Sequence, residues 1–233
     1  MSVTAERWAD VRAQDTGVKL TLGPNTVGRY LLDPKRIAFM LSRYKFAAKM
    51  LRDCQSIIDI GCGDGFGTLT FLEDTKAERV LGVDFDPQLI EYAKLVLWPA
   101  VRKARNDSVT LGFREYDMLR GDPNDHDVRQ FSGLCCTDVI EHIEPSRADA
   151  FIAKMYWTLR QDGVAVVGTP SKYAAQFASP QSQIGHINLY EPDRLREELG
   201  KHFKHVFLFS MNDEIVHTGF DKLAHYLMAV AIK

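Results

Sequence analysis

Four side chains that could bind a metal ion or move a proton lie in two short stretches of the chain. Asp138, Glu141 and His142 stand at positions i, i+3 and i+4, so one helical turn would place them on the same face. His186 comes from a later polar segment and could supply a fourth ligand. Because oxygen and nitrogen ligands suit hard divalent cations, this set predicts a Mg²⁺ or Mn²⁺ site rather than a thiolate-type zinc site.

The same side chains could also act without a metal ion. An imidazole titrates near neutral pH, so His142 or His186 could remove the proton from an acceptor hydroxyl. Asp138 is the third candidate catalytic residue, while His217 and Asp213, in a later turn-like segment, are weaker candidates for the same site. The residue types therefore leave two chemistries open, metal-assisted activation and general base catalysis.

These side chains need a framework, and a glycine-rich segment indicates what it is. An apolar run at 57–60 ends in Gly61, Gly63 and Gly65, which predicts a strand, a tight turn and a helix. The spacing G-x-G-x-G differs from the dinucleotide fingerprint G-x-G-x-x-G, because Phe66 stands where its third glycine should be. The segment therefore predicts a loop that approaches a nucleoside closely without being a dinucleotide site.

A carboxylate completes this signal about twenty residues further on. Residues 79–84 form a second short, mostly apolar segment that ends in Asp84. A carboxylate at the end of such a strand can accept hydrogen bonds from both hydroxyls of a ribose. The glycine loop and Asp84 together predict a site for a nucleoside-containing cofactor.

The segments IIDIGCGDGFG and VLGVDFDP resemble the first two motifs of the class I S-adenosylmethionine-dependent methyltransferases. The order of the later elements agrees, so the resemblance covers roughly residues 55–233. In that family the glycine loop contacts the methionine part of the cofactor, the acid after the second strand holds the ribose, and residues after the third strand flank the adenine. The resemblance implies S-adenosylmethionine as the cofactor. The contacts expected with it are Asp59, Gly61, Gly63, Gly65, Asp84, Phe85, Asp117, Met118 and Asp138.

The segment around Glu141 carries a second resemblance. With His186 it is similar to the E-x-x-E-H plus histidine pattern that holds the ion in metal-dependent O-methyltransferases of ubiquinone biosynthesis and in small-RNA 2′-O-methyltransferases. Asp138 stands in place of the first glutamate, which shortens its reach. A glutamate and a histidine also follow the fourth strand in many class I enzymes that use no metal. The expected ligand set is therefore Asp138, Glu141, His142 and His186, with a metal-free site as the alternative.

Strands and helices alternate along the chain, which predicts an α/β, Rossmann-like fold with helices on both faces of a seven-stranded, mostly parallel sheet. The predicted strands lie near 56–60, 79–83, 109–115, 132–137, 163–168, 204–210 and 224–231. The predicted helices lie near 65–74, 87–104, 146–160 and 191–201. The last two strands are joined by residues 212–222, too few for a crossover helix, so the last strand should be antiparallel. Residues 55–233 should form the methyltransferase domain.

Residues 1–54 are expected to form an N-terminal helical segment that acts as a lid over the cofactor or completes the core. A short helix is predicted around residues 6–14 and a loop at 22–26. The next helix should have Asp33 as its N-cap and Pro34 in its first turn, and should continue to Leu51. Its polar face carries Lys35, Arg36, Ser42, Arg43, Lys45 and Lys49.

Composition limits the partners. The chain has 233 residues and a net charge of −2, and no run of lysine and arginine forms a phosphate track, so a nucleic-acid partner is not expected. Four cysteines without C-x-x-C spacing suit a reducing compartment, and no apolar run is long enough to span a bilayer. We expect a cytoplasmic enzyme with a small-molecule substrate, and the sequence leaves its oligomeric state open.

The acceptor is indicated by a long polar segment after the predicted fifth strand. Residues 179–183, Ser-Pro-Gln-Ser-Gln, could bind a polar acceptor such as a sugar or a nucleotide-linked glycan precursor. The segments TPSK and GHIN are also similar to methyltransferases of bacterial surface-glycan biosynthesis. The sequence therefore predicts an S-adenosylmethionine-dependent O-methyltransferase. The alternatives are a phenolic or quinone-precursor acceptor, a non-catalytic nucleoside-binding protein and a nicotinamide-dependent oxidoreductase.

Overall fold

A computed structural model describes residues 3–105, 109–122 and 125–233, and an eight-stranded sheet lies at its centre. The strands are β1 (Ser56–Ile60), β2 (Arg79–Asp84), β3 (Thr110–Glu115), β4 (Phe131–Thr137), β5 (Leu159–Pro170), β6 (His205–Asn212), β7 (Ile215–His217) and β8 (Tyr226–Ile232). The α-helices are α1 (Val3–Ala13), α2 (Pro24–Leu32), α3 (Lys35–Met50), α4 (Phe71–Asp74), α5 (Pro87–Tyr92), α6 (Trp98–Ala104), α7 (Ala148–Thr158), α8 (Pro180–Gly185) and α9 (Pro192–Gly200). A π-helical segment, Ala93–Leu97, joins α5 to α6.

The sheet has the order β3-β2-β1-β4-β5-β8-β6-β7. Strands β1 to β5 pair in parallel, and β8 lies antiparallel between β5 and β6, which confirms the predicted Rossmann-like fold with a reversed last strand. The prediction of seven strands missed β7, a three-residue strand that pairs with β6 in a hairpin. Asp213 in its turn has a φ of 51°. Such a short strand carries too little periodicity to be seen in the sequence.

Apolar side chains alternate between the two faces of the sheet, and each face packs against its own helices. On β1, Ile57 belongs to the cluster beneath α3, α5 and α6, whereas Ile58 belongs to the cluster beneath α7 and α9. All seven residues of β4 are buried, so this strand lies at the centre of both clusters. The sheet is thereby a rigid platform for the loops that follow its strands.

The N-terminal region differs from its prediction at one helix. The loop predicted at residues 22–26 is wrong, because α2 begins at Pro24, directly after Gly23 in an extended conformation. Proline is pre-organised for the first turn of a helix, where its missing N–H is not needed. The following helix agrees with its prediction to within a residue, and Asp33 Oδ1 accepts a hydrogen bond from the Lys35 N–H at 3.2 Å.

The strand order reverses direction between β1 and β4. In open parallel sheets, the loops on either side of such a switch point diverge and leave a crevice beyond the carboxyl ends of the strands. The glycine loop follows β1 and the predicted catalytic segment follows β4, so both open into this crevice. Among the described residues, no helix combines the length and the hydropathy that a membrane span requires.

Candidate active site

A first cavity of about 720 Å³ lies over the carboxyl ends of β1, β2 and β4. Its size falls within the range of small-molecule and cofactor sites. Most of the expected cofactor contacts line it, namely Gly61, Gly63, Asp84, Phe85, Asp117, Met118 and Asp138. Gly61 has a φ of +72°, and a Cβ atom there would overlap the side chain of Val139, so only glycine fits this turn.

The two remaining expected contacts support the loop from below. Asp59 is fully buried and accepts hydrogen bonds from Thr68 Oγ1 at 2.5 Å and from the Tyr44 hydroxyl at 3.2 Å. Burial raises the pKa of Asp59 to about 7. Gly65 packs against the ring of Phe113 and does not line the cavity. Asp59 and Gly65 therefore shape the loop without reaching the cavity.

Asp84 ties the glycine loop to the turn after β2. One carboxylate oxygen accepts from the Gly63 N–H at 2.9 Å and the other from the Asp86 N–H at 3.0 Å. Burial raises the pKa of Asp84, and these backbone hydrogen bonds oppose that shift. Because the same carboxylate lines the cavity, it is positioned to meet a ribose.

Helix α2 forms part of the wall of this cavity. Pro24, Asn25, Thr26 and Arg29 line it. The helix is fixed to the glycine loop by Asp64, whose two oxygens accept from the Thr26 N–H at 2.7 Å and from Thr26 Oγ1 at 2.8 Å, both in buried positions. Sequence reasoning missed this pair, because nothing local links two polar residues 38 positions apart.

A second cavity of about 670 Å³ adjoins the first, and Arg29, Asp138 and His142 line both. It lies between helices α2 and α3 on one side and the segment that contains α8 on the other. The predicted polar segment contributes its wall through Ser179, Gln181, Ser182, Gln183 and the neighbouring Phe177.

Three of the four predicted metal ligands meet beside this second cavity. Glu141, His142 and His186 each offer one ligand atom, and these atoms lie within 4.8 Å of one another. Glu141 Oε2 accepts from Thr169 Oγ1 at 3.2 Å. Glu141 Oε1 and His186 Nδ1 are buried, and neither has a hydrogen-bond partner in the part of the chain that the structure describes. Buried polar atoms are rarely left unpaired, so these two orphaned atoms fit a cation between them.

Burial shifts the pKa values of two of these three predicted ligands, Glu141 and His186. Burial raises the pKa of Glu141 to about 8, and the nearby charge of Asp138 adds to this. Burial also lowers the pKa of His186, with a further contribution from His142, so that its imidazole is neutral at pH 7. A neutral imidazole can bind a metal or accept a proton.

His142 is oriented by the backbone of the later loop. Its Nδ1 lies 2.8 Å from the carbonyl oxygen of Gly185. A carbonyl only accepts, so Nδ1 carries the proton and the lone pair is on Nε2. The Asn188 N–H donates to the Glu141 carbonyl at 3.0 Å, which fixes the loop carrying His186 to the segment after β4.

Asp138, the fourth predicted ligand, is engaged elsewhere. Both of its oxygens accept hydrogen bonds from Arg43 Nη1, at 2.8 and 2.7 Å, and Arg29 Nη1 lies 3.9 Å away. Burial alone would raise its pKa, but the charges of Arg43 and Arg29 hold the pKa of Asp138 below its ordinary value. Arg43 also stacks on the ring of Tyr226, 3.7 Å from its centroid. The carboxylate therefore organises the site around Arg43, outside the cluster of three.

The sequence carried one signal for these arginines. Arg36 and Arg43 are seven residues apart in α3, which is about two helical turns, so they share one face of that helix. Arg29 comes from the separate helix α2, and all three line the second cavity. The weaker candidates His217 and Asp213 are in the β6–β7 hairpin, and neither is among the described residues that line the two cavities.

Comparisons with known proteins bear on the family and the fold. Residues 57–163 match a family model described as a methyltransferase domain. No curated protein sequence matches the chain. Among solved structures, the methyltransferase domain of bacterial-CtHen1-C is 18% identical with a TM-score of 0.66, over 82% of this chain and 97% of that one.

Two further structures extend the comparison. The small RNA methyltransferase HEN1 is 19% identical with a TM-score of 0.67, over 82% of this chain and 25% of that one. The N-methyltransferase NodS from Bradyrhizobium japonicum WM9, in complex with S-adenosyl-L-homocysteine, is 16% identical with a TM-score of 0.55, over 85% of this chain and 86% of that one. At these identities the likeness shows a shared fold.

Proposed function

We propose that this protein, which carries a class I S-adenosylmethionine-dependent methyltransferase domain, methylates an oxygen atom. The acceptor would be a small polar molecule such as a sugar or a nucleotide-linked glycan precursor. The observation that carries the proposal is the cluster of Glu141, His142 and His186 beside the second cavity. A methyl acceptor in that cavity would meet both a candidate base and a candidate metal site.

The first cavity supports the donor half of the proposal. Bound S-adenosylmethionine supplies an electrophilic methyl group on its sulfonium. The chain's own part would be to hold and orient that molecule. Gly61, Gly63, Asp84, Asp117 and Met118 all line the cavity, and by the family resemblance the glycine backbone would face the methionine part, Asp84 the ribose, and Asp117 and Met118 the adenine. Positioning of this kind accounts for much of the rate of a transfer between two bound molecules.

The acceptor half rests on the orphaned atoms of the cluster. A divalent cation held by Glu141, His142 and His186 would lower the pKa of an acceptor hydroxyl. Two imidazoles and one carboxylate suit Mn²⁺ better than Mg²⁺, which prefers oxygen ligands. In a metal-free site, His142 Nε2 or the neutral His186 would remove the hydroxyl proton directly.

The lining of the second cavity favours a polar acceptor over a phenolic or quinone-precursor one. A phenolic acceptor would be expected to sit among apolar side chains. Apolar groups such as Phe39, Phe177 and Leu189 do line this cavity. Three arginines and several serine and glutamine side chains line it as well, and a phenolic ring would leave most of these polar groups without a partner. Two features argue against the oxidoreductase alternative. The third glycine of the dinucleotide fingerprint is missing, and β8 pairs antiparallel with β5, whereas the sheet of dinucleotide-binding folds is parallel.

Transfer of a labelled methyl group tests the proposal. Chelator-treated protein is incubated with methyl-labelled S-adenosylmethionine and the small-molecule fraction of a cell extract, with and without Mn²⁺. We expect label in a polar product as a methyl ether, stimulated by Mn²⁺ and lost in Glu141→Gln and His186→Gln. His202→Gln is the matched control, because that imidazole bonds Asp149 and lines neither cavity.

Other outcomes separate the alternatives. A product labelled on a nitrogen atom would contradict the proposed oxygen acceptor and identify an N-methyltransferase. Tight binding of S-adenosylhomocysteine without any transfer, in either metal condition, would favour the non-catalytic nucleoside-binding protein.

A further inference from the structure

The second cavity has an excess of positive charge. Its lining contains Arg29, Arg36 and Arg43 from helices α2 and α3, against the two carboxylates of Asp33 and Asp138. The chain as a whole has a net charge of −2, so this local excess does not follow from composition.

The three arginines differ in how their charges are used. Arg43 is paired with Asp138, and Arg29 lies 3.9 Å from the same carboxylate, so two cations share one acid. The guanidinium of Arg36 makes no hydrogen bond or ion pair with residues 3–105, 109–122 or 125–233. Asp33 faces a different cation, since Lys35 Nζ is 4.0 Å from it. Arg36, with part of the charge of Arg29, is therefore available to a ligand.

A guanidinium with free donors matches one class of group. Its planar fork binds phosphate or carboxylate oxygens in pairs, and such charge-assisted hydrogen bonds are stronger than neutral ones. Across the cavity, Ser171, Gln181 and Ser182 offer neutral hydroxyl and amide groups that suit the hydroxyls of the same molecule. The two walls are complementary to a molecule that is both hydroxylated and anionic.

We propose that the methyl acceptor is a small molecule that carries a phosphate or carboxylate group, and that Arg36 with Arg29 binds this group in the second cavity. The proposal rests on the proposed function in one respect, that the second cavity receives the acceptor. Arg29 lines both cavities, whereas Arg36 lines only the second. Arg36 is therefore the specificity-determining residue whose loss should leave cofactor binding intact.

Calorimetry on the protein saturated with S-adenosylhomocysteine tests this, with inorganic phosphate and succinate as probes and glucose as the neutral comparison. We expect at least one of the two anions to bind, and Arg36→Gln to weaken its binding about tenfold or more. Lys35→Gln is the matched control, because it removes the same charge from the adjacent position on an exposed side chain that does not line the cavity. Its anion affinity should stay within about twofold of the native value.

The outcomes are distinct. Native protein that binds S-adenosylhomocysteine but neither anion, or an equal loss in both variants, would overturn the inference and leave the proposed function standing. Failure to bind S-adenosylhomocysteine would instead remove the proposed function. A six-nucleotide RNA that binds at least ten times more tightly than either anion, and is lost in Arg36→Gln, would replace the small molecule by a polymer as the source of the phosphate.

Discussion

Removal of the hydroxyl group of Thr26 should loosen α2, the helix that lines the first cavity. In Thr26→Val the shape of the side chain is kept, but the 2.8 Å hydrogen bond from Oγ1 to Asp64 is lost. Asp64 is 3% exposed, so water cannot readily replace the missing donor. Helix α2 then loses one of the two hydrogen bonds that fix it to the glycine loop.

The magnitude follows from the charge of the acceptor. A hydrogen bond to a charged group contributes about 1.5–3 kcal/mol, and each 1.4 kcal/mol is about a factor of ten in an equilibrium constant. Because Pro24, Asn25 and Arg29 of the same helix line the cavity, the cofactor should bind mainly when α2 is in place. We therefore expect the Kd for S-adenosylhomocysteine to rise, and the energy of the lost hydrogen bond limits this rise to about a hundredfold.

Isothermal titration calorimetry measures this effect, and amide hydrogen exchange over residues 24–32 reports the loosening of the helix. The matched control is Thr158→Val, which removes a buried hydroxyl that donates to the Lys154 carbonyl at 3.0 Å, away from both cavities. It should leave the Kd unchanged. An unchanged Kd in Thr26→Val as well would refute the idea that α2 must be fixed in place for the cofactor to bind.

Two further predictions concern stability. Because burial raises the pKa of Asp59 from 3.8 to about 7 in the folded protein, the folded state holds this proton more tightly than the unfolded chain. The protonated Asp59 therefore adds up to about 4 kcal/mol to the free energy of unfolding. This contribution is full below pH 4 and is lost as the pH rises to about 7. Urea unfolding of cofactor-free protein measures the free energy of unfolding at each pH. The decrease between pH 4 and pH 7 should be smaller in Asp59→Asn than in the native protein, and equal decreases would contradict the raised pKa of Asp59. Gly67→Ala should lower the free energy of unfolding by about 1–3 kcal/mol, because the new Cβ would overlap the ring of Tyr44. Gly200→Ala is the control: its Cβ meets open space, so stability should change by no more than about 0.5 kcal/mol. Similar melting temperatures for the two variants would contradict the packing argument.

The features that the sequence predicted well are local in the chain. The glycine loop follows one short apolar strand and Asp84 ends another, so residue type and spacing were enough to predict that both lie at the crevice beyond these strands. The alternation of strands and helices predicted the sheet for the same reason. The boundaries of the elements were predicted less accurately. Helix α7 ends at Thr158 and β5 begins at Leu159, four residues before the predicted start of that strand.

The features that the sequence did not predict depend on contacts between distant segments. Arg43 belongs to the polar face of α3, and helical periodicity cannot tell whether such a face meets water or a buried carboxylate 95 residues away. The pairing of Arg43 with Asp138 is what separates this acid from Glu141, His142 and His186. Gly23 and Pro24 predict a loop from the sequence alone, because glycine and proline mark turns as well as the starts of helices.

The position of β8 has a consequence for the order in which the protein can be assembled during synthesis. Strands β6 and β7 are made before β8, yet they join the sheet only through it, since β8 lies between β5 and β6. They must therefore wait, unpaired with the sheet, until residues 226–232 have left the ribosome. Tyr226, on which Arg43 stacks, belongs to this same strand, so Arg43 gains this contact only after β8 has been made and has joined the sheet.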